Sequence, residues 1–273
     1  MNFGRAKTIL IILFAIVNIF LAGYIFVTSN DILTPDSKTI SNTTTILNKR
    51  NVFLKDNVKL SYSENISYLN LKGITSDEKV IASKLLGPFI IKNSKYISDS
   101  GDLAITNGEF VLNTKDNHTF KEFNEKTVAK YAVNFLKEHE IDVSDLKVFD
   151  VVNENGNFKV TLRHSFFDKP LFNVKTYVYV SGGGVYRIEG SIFALDSLSE
   201  SKKYTNNPIN VLLRYSAERQ SNEKIEISQI NTGYYTENNP NDYKSISALP
   251  CYEIVLTDGS RLYFDAISAK MVK

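Results

Sequence analysis

The stretch NEKTVAKYAVNFLKEHEI, residues 124–141, carries the clearest secondary-structure signal in the chain. Its apolar residues recur at spacings of three and four, which is the period of one face of an α-helix. The residues on that face are Val128, Tyr131, Ala132, Phe135 and Leu136. The spacing therefore predicts an amphipathic helix that packs on a hydrophobic layer.

The segments that follow this helix predict the layer. Runs rich in β-branched and aromatic residues predict strands over 146–152, 157–167, 172–180 and 185–194. Asn155-Gly156 and Gly182-Gly183-Gly184 lie between strands, where such residues favour hairpin turns. We therefore expect an antiparallel sheet next to the helix.

The same order recurs towards the C-terminus. Asn207 and Pro208 predict the cap and first position of another helix. Strands are predicted after it over 224–235, 251–256 and 261–266, with Asp258-Gly259 as the last turn. A helix followed by an antiparallel sheet, twice in succession, predicts an α+β fold rather than a parallel α/β fold.

A shorter helix is predicted upstream by TSDEKVIASKLLGP, residues 75–88. Thr75 is placed to cap its N-terminus, and Glu78 to complete a capping box. Short strands are predicted next, over 95–97, 103–106 and 109–112.

These elements predict five segments. The chain up to residue 60 divides into a cytoplasmic tip and transmembrane anchor (1–28) and a polar stalk with little periodicity (29–60). The remainder divides into an N-terminal subdomain (61–122) and two helix-plus-sheet lobes (123–199 and 200–273).

The predicted anchor lies within RAKTILIILFAIVNIFLAGYIFVTSN, residues 5–30. Its apolar run of about 19 residues is long enough, as a helix, to cross the ~30 Å hydrocarbon core of a membrane. A cleaved signal peptide is the alternative, but such signals are shorter and end in a small-residue cleavage site. Arg5 and Lys7 predict that the N-terminus stays cytoplasmic and that the remainder is extracellular.

Composition narrows the class of protein. The chain has 32 basic residues, and all of them except Arg5 and Lys7 lie beyond the apolar run. All 30 acidic residues lie there too, so basic and acidic residues are equal in number in the exterior part. An exterior part so close to neutrality does not predict nucleic-acid binding. A single cysteine, Cys251, excludes an internal disulfide. Abundant Lys, Asn and Ile indicate an AT-rich Gram-positive source.

No set of residues predicts catalysis, a metal site or a cofactor. His164 falls on an apolar strand face, His139 ends a helix without a second histidine four residues away, and His118 lies in a loop. The glycines at 182–184 are followed by a strand rather than by the helix that a phosphate-binding loop requires. We therefore predict a protein that is not an enzyme.

Asn18 interrupts the apolar run near its middle. It lies on one predicted seam with Ile11, Ala15, Ala22 and Ile25, at alternating spacings of four and three. Small residues allow close helix approach, and an amide in hydrocarbon tends to bond across helices. The seam predicts docking onto another transmembrane helix, although a single anchor also tolerates one mildly polar residue.

Tyr177 and Tyr179 alternate with Val174, Val178 and Val180 in a predicted strand. If the valines face the core, the tyrosines face away from it and are available for contact with a partner protein. The alternative is that a helix of the same lobe covers them.

The N-terminus, MNFGRAKTILIILFAIVNIFLAGYI, resembles that of YycI-type proteins, the membrane-anchored accessory regulators of the WalK/WalR (YycG/YycF) cell-wall two-component system. Phe3 stands where that family has tryptophan. The segment KTYVYVSGGGVYRIEGSI is similar to a strand–turn–strand unit of the same family, and PCYEIVLTDGSRLYFDAISAKMV is similar to the closing hairpin of PepSY-like folds. The predicted tandem lobes also resemble the YycH-like ectodomain architecture.

The resemblance implies a non-catalytic regulator. Its expected partners are a WalK-type sensor histidine kinase, a sister YycH-type protein and the membrane. A PepSY-like binder or inhibitor of an extracellular peptidase or cell-wall fragment is the alternative. An ectoenzyme would require His164 to be exposed in a cleft beside a carboxylate.

Overall fold

The computed structural model describes residues 3–31, 35–58, 60, 65–199, 203–236 and 245–272. At 3–6, 8–9, 24–31, 65 and 203 it describes the backbone but not the side chains. The α-helices of the described residues are α1 Phe3–Asp31, α2 Ser37–Lys49, α3 Glu78–Leu86, α4 Glu125–Glu138 and α5 Pro208–Glu218. The first strands are β1 Val52–Leu54, β2 Asn65–Ile66, β3 Leu69–Gly73, β4 Ile90–Lys92, β5 Lys95–Ser98, β6 Gly101–Thr106, β7 Glu109–Thr114 and β8 Leu146–Glu154. The later strands are β9 Asn157–Phe166, β10 Lys169–Ser181, β11 Gly184–Gly190, β12 Phe193–Leu198, β13 Lys203–Tyr204, β14 Ile225–Thr236, β15 Ile246–Leu256 and β16 Arg261–Asp265. The fold is a sheet-rich α+β fold, as the order of elements predicted.

The chain forms two compact units, each built from segments that are distant in sequence. Unit 1 contains Met1–Asn65, Tyr204–Ile230 and Ile254–Lys273, and unit 2 contains Ile66–Lys203 and Asn231–Glu253. These boundaries differ from those predicted at 122/123 and 199/200. The reason is that strand pairing, rather than position along the chain, decides which segments share a core.

Unit 2 is dominated by two four-stranded antiparallel meanders, β4–β7 and β8–β11. Their last strands, β7 and β11, pair antiparallel, so the meanders form one sheet in the order β8-β9-β10-β11-β7-β6-β5-β4. Helix α3 precedes the first meander and α4 precedes the second. The helix-then-sheet order therefore begins one meander earlier than the sequence indicated.

Helices α3 and α4 cover one face of this sheet. The buried residues of α4 are Val128, Ala132, Phe135 and Leu136, which confirms the predicted helical face. They share a hydrophobic core with Val160, Leu162, Val178 and Val180 of the sheet and with Ile81, Leu85 and Leu86 of α3. Burial of this apolar surface is the main stabilising contribution to unit 2.

Helix starts are decided by side-chain caps. Asn124 and Thr127 form a reciprocal capping box at α4, and Asn207 caps α5 with Pro208 in its first turn, as predicted. The prediction of Thr75 as the cap of α3 was wrong. Asp77 accepts a hydrogen bond from the main-chain N–H of Val80, while Thr75 is buried and donates to the carbonyl oxygen of Gly108.

Residues 29–60 also need correction, because much of this predicted stalk is folded into unit 1. Helix α2 is capped by Asp36 and buries Thr43 and Leu47. It packs against α5 and β1, and β1 pairs in parallel with the start of β14. The helix escaped detection because its sequence is polar and rich in threonine, which has a low helix propensity.

The predicted anchor lies in α1, Phe3–Asp31. Within the part of the chain that the structure describes, no helix is both long and apolar enough to cross a membrane. The predicted segment 1–28 extends beyond that part, since residues 1–2 and the side chains of 24–28 lie outside it.

Candidate interaction surface

Strand β10 separates two kinds of side chain onto the two faces of the sheet. Val178 and Val180 are buried in the core beneath α4. Tyr177 and Tyr179 alternate with them and are half-buried on the opposite face, which we call the outer face. The alternative that a helix of the same lobe covers these tyrosines does not hold, because α4 lies on the core side.

Strand register defines the rest of the outer face. One row across neighbouring strands contains Val152, Lys159, Tyr179, Arg187 and Asn113. The next row contains Asp150, Thr161, Tyr177, Glu189 and Val111. Residues of eight different types from five strands are therefore brought side by side.

Hydrogen bonds hold the centre of the outer face in one arrangement. The hydroxyl of Tyr179 donates to Oε1 of Glu189 at 2.6 Å, and Nε of Arg187 donates to Oε2 of Glu189 at 2.9 Å. Burial and the bond to Glu189 raise the pKa of Tyr179. Burial alone would raise the pKa of Glu189, but the bonds from Tyr179 and Arg187 outweigh it and lower that pKa. The carboxylate is therefore ionised and the phenol neutral at physiological pH.

Lys159 contributes a cation over the aromatic rings. Its Nζ lies 4.4 Å from the ring centroid of Tyr177 and 5.5 Å from that of Tyr179. Such contacts hold a flexible lysine in place. Tyrosine and arginine are enriched where proteins bind other proteins, whereas lysine is depleted there, so the two tyrosines rather than Lys159 mark this face as a candidate interaction surface.

A row of cations lies beside this centre. Arg163 stands directly opposite Lys147 on one neighbouring strand and Lys175 on the other. The ring of Phe149 covers Arg163, with its centroid 3.6 Å from the guanidinium carbon. Phe149 itself is 46% exposed whereas Arg163 is buried, so the ring rather than the guanidinium is presented to solvent here.

Most of these residues were missed from the sequence. Only Tyr177 and Tyr179 were predicted, from the alternation within their own strand. The spacing of Lys159, Thr161 and Arg163 follows the same two-residue period, and this could have placed them on one face of β9. The predicted hairpin turns indicated that β8 lies next to β9 and β10 next to β11, but nothing in the sequence indicated that β11 pairs with β7.

His164 is buried rather than exposed in a cleft. Its Nε2 accepts a hydrogen bond from the main-chain N–H of Phe193 at 2.9 Å, and its ring stacks near Phe166. Burial lowers the pKa of His164 to about 4, only partly offset by this bond. The condition set for an ectoenzyme, an exposed His164 beside a carboxylate, is therefore not met.

The glycine-rich turn binds an anion, but it is one of the protein's own side chains. Oδ2 of Asp116 accepts from the main-chain N–H of Val185 at 2.9 Å and from the hydroxyl of Tyr131 at 2.6 Å. His118 stacks on Tyr131, with the ring centroids 4.0 Å apart. The turn thus joins a hairpin to α4, in agreement with the predicted hairpin.

The predicted transmembrane seam lies on α1. The side chains of Ile11, Ala15, Asn18 and Ala22 are exposed along this helix, as is Lys7. The side chains of Ile25 and Arg5 lie outside the described residues. The role of the seam in docking stays a prediction.

Thirteen chains of solved structures are similar to this one, and they include an uncharacterized bacterial protein and a domain of YpeB. An uncharacterized protein from Eubacterium rectale ATCC 33656 is 11% identical, with a TM-score of 0.47, over 88% of this chain and 99% of that chain. The C-terminal domain of YpeB from Bacillus megaterium is 11% identical, with a TM-score of 0.37, over 74% of this chain and 97% of that domain. No family model and no curated protein matches the sequence.

Proposed function

We propose that this chain is a non-catalytic, membrane-anchored regulatory protein of the YycI type that modulates a WalK-type sensor histidine kinase. Its predicted anchor would place α1 in the cell membrane, with the ectodomain outside the cell. A sister YycH-type protein is the second expected partner. No metal, cofactor or nucleic acid has a part in this proposal.

The observation that carries the proposal is the outer face of unit 2. Tyr179 and Arg187 are hydrogen-bonded to Glu189, and Lys159 lies over the ring of Tyr177, so part of the side-chain entropy is already lost before binding. Helices α3 and α4 cover the other face of the same sheet, whereas Tyr177 and Tyr179 of the outer face are only half-buried. A pre-organised aromatic and charged surface of this kind favours a protein partner.

Regulation requires only a modest coupling. If the ectodomain and α1 contact one signalling state of the kinase better than the other, the equilibrium between those states shifts. A coupling free energy of about 1–3 kcal/mol between binding of this protein and the kinase's signalling state changes the ratio of the two states by a factor of about 5 to 150. Binding without chemistry is therefore sufficient for the proposed role.

The test is co-purification of the full-length protein with a co-expressed WalK-type kinase from membranes. The double variant Tyr177→Ala/Tyr179→Ala should recover much less kinase than the wild type. Tyr204→Ala removes an exposed tyrosine of unit 1 and serves as the matched control. Equal recovery with both variants would remove the outer face from the proposal, and absence of the kinase from the wild-type sample would overturn it.

A PepSY-like binder or inhibitor of an extracellular peptidase is the second candidate. The observation in its favour is that the outer face lies wholly within unit 2 and makes no use of α1. On this alternative, the double tyrosine variant would lose inhibition of a cell-wall peptidase, while substitutions at Asn18 would have no effect.

A further inference from the structure

Two hairpins of unit 2 turn on the same dipeptide. Asn107 and Gly108 join β6 to β7, and Asn155 and Gly156 join β8 to β9. Their φ angles are nearly equal, 50° and 80° in the first turn and 54° and 87° in the second. Both are therefore two-residue turns of type I′, in which asparagine and glycine tolerate positive φ.

An asparagine followed by glycine is also chemically reactive. The main-chain nitrogen of the glycine loses its proton to a solvent base and attacks Cγ of the asparagine. The new N–C bond closes a succinimide ring, and the side-chain amide takes up a proton and leaves as ammonia. Water then opens the ring at either carbonyl, which gives aspartate or isoaspartate. Glycine favours the attack because it has no Cβ to hinder it.

The fold controls the rate of this reaction, because the ring closes only after the turn has left its native backbone conformation. The surroundings of the first turn hold it closed. Gly108 is buried, and its carbonyl oxygen accepts a hydrogen bond from the hydroxyl of the buried Thr75 at 3.0 Å. Strands β6 and β7 both lie inside the sheet, between β5 and β11. Opening would cost the Thr75 bond and disturb paired strands on both sides, so Asn107 is protected.

The second turn has much less support. Among the described residues β8 pairs with β9 alone, so it is an edge strand. Every residue from Val152 to Asn157 is exposed, and a Cβ atom at Gly156 would meet nothing within 4 Å. Local opening costs least at such places. Asn155 therefore reaches the reactive conformation more often than Asn107.

One side chain nevertheless restrains the reacting nitrogen of the second turn. The main-chain N–H of Gly156 donates to Oδ1 of Asn153 at 3.0 Å. While this bond is present, the nitrogen keeps its proton and is directed at Asn153 rather than at Cγ of Asn155. Ile105 occupies the matching position in the first turn, and its side chain has no acceptor.

We infer that Asn155 is a site of spontaneous deamidation and that Asn153 sets its rate. The product carries a new carboxylate at the tip of the β8–β9 hairpin, and isoaspartate also lengthens the main chain by one carbon atom. Lys159, which lies over the ring of Tyr177, belongs to the same hairpin. The modification therefore changes charge and strand pairing beside the outer face. It needs only water and does not depend on the proposed kinase.

The first test follows both asparagines in the full-length protein, held in a mild detergent and mildly alkaline buffer. Trypsin separates them into the peptides 148–159 and 96–115, and mass spectrometry with fragmentation locates the converted residue. Asn155 should be converted several-fold faster than Asn107 in the folded protein, and the two rates should become similar in urea. Equal rates in the folded protein, or faster conversion of Asn107, would overturn the inference.

Variants at residue 153 test the restraint on the nitrogen. Asn153→Ala should speed conversion of Asn155 about fivefold, the factor that corresponds to the loss of one hydrogen bond of average strength. Asn153→Asp keeps an acceptor and should react at a rate near that of the wild type. Asn157→Ala is the matched control, because it removes an amide equally far from Asn155 in sequence and leaves the bond between Gly156 and Asn153 in place.

The stability of the hairpin is measured separately in each variant. Hydrogen exchange of the Asn157 amide, which bonds across the turn to Glu154, reports whether the hairpin stays closed. Faster conversion in Asn153→Ala with unchanged exchange at Asn157 would support the restraint. Equal conversion in Asn153→Ala and Asn157→Ala would contradict it. Conversion and exchange that rise in proportion would show that Asn153 acts on the whole hairpin, which also contradicts the restraint.

Discussion

His164 shows how burial changes the chemistry of a single residue. Its Nε2 accepts the N–H of Phe193, which leaves the proton of the neutral ring on Nδ1. A second proton would have to be taken by a buried nitrogen in apolar surroundings. For this reason the pKa of His164 falls from 6.5 to about 4.

This lowered pKa predicts a loss of stability in mild acid. The unfolded chain binds a proton at His164 near pH 6.5, whereas the folded chain does not until about pH 4, so stability falls as pH decreases between these values. From pH 7 to pH 5 the free energy of unfolding should fall by about 2 kcal/mol from this residue alone. This change in the free energy of unfolding is measured by urea unfolding of the wild type and of His164→Leu at pH 7 and at pH 5.

The His164→Leu variant separates the effect of protonating His164 from the effect of protonating carboxyl groups, because the carboxyl groups are present in both proteins. His164→Leu should be less stable at pH 7 by about 1–3 kcal/mol, because the N–H of Phe193 loses its acceptor. Its stability should nevertheless depend less on pH than that of the wild type. An identical pH dependence in the two proteins would show that His164 is not the titrating group.

At the scale of elements, the turn between β10 and β11 depends on close approach by Asp116. Gly184 has φ +111°, and a Cβ atom there would lie 2.3 Å from Oδ2 of Asp116. The same carboxylate accepts from Tyr131 of α4. Helix and hairpin are therefore joined through a position where only glycine fits.

Gly184→Ala should consequently lower the free energy of unfolding by about 1–3 kcal/mol, through both backbone strain and the displaced carboxylate. Gly182→Ala is the matched control, since a Cβ there would meet nothing within 4 Å. Chemical denaturation of the two variants provides the comparison. Similar losses in both would mean that the Asp116 contact does not hold the turn.

Helix α2 offers a direct test of the corrected stalk. Leu47 is fully buried in α2, while its neighbour Ile46 is 42% exposed. Leu47→Ala should destabilise unit 1 by about 2–5 kcal/mol, the usual cost of emptying a buried leucine site. Ile46→Ala should cost much less, and equal, small effects in thermal unfolding would restore the prediction of an unfolded stalk.

At the scale of the whole molecule, the proposed function has two contact regions, α1 and the outer face. Asn18 belongs to the first, and its proposed role in docking rests on the cost that an unpaired amide would have in hydrocarbon. The outer face belongs to the second. Variants in one region should therefore leave the contacts of the other unchanged.

Asn18→Leu tests the first region. The variant should still insert, because leucine makes the segment more apolar, but recovery of the kinase or the sister protein should fall several-fold when membranes are solubilised. Ile19→Leu, at an exposed neighbouring position, is the control. Unchanged recovery with Asn18→Leu would place the contact on the ectodomain alone.

The sequence alone determined the features that arise from neighbouring residues. The face of α4 follows from apolar spacing, the start of α5 from Asn207 and Pro208, and the hairpin at Asn155 from residues that tolerate positive φ. The alternation of Tyr177 and Tyr179 with valines is local in the same sense. These signals act within a few residues and need no knowledge of the fold.

Tertiary structure decided what depends on contacts between distant segments. Lys159 and Glu189 meet Tyr179 only because three strands pair in a particular register. The two meanders share one sheet because β7 pairs with β11, and α2 is stabilised by its packing against α5, far along the chain. Strand pairing and helix packing are chosen by the total surface buried in the folded chain, and no single stretch of sequence contains that information.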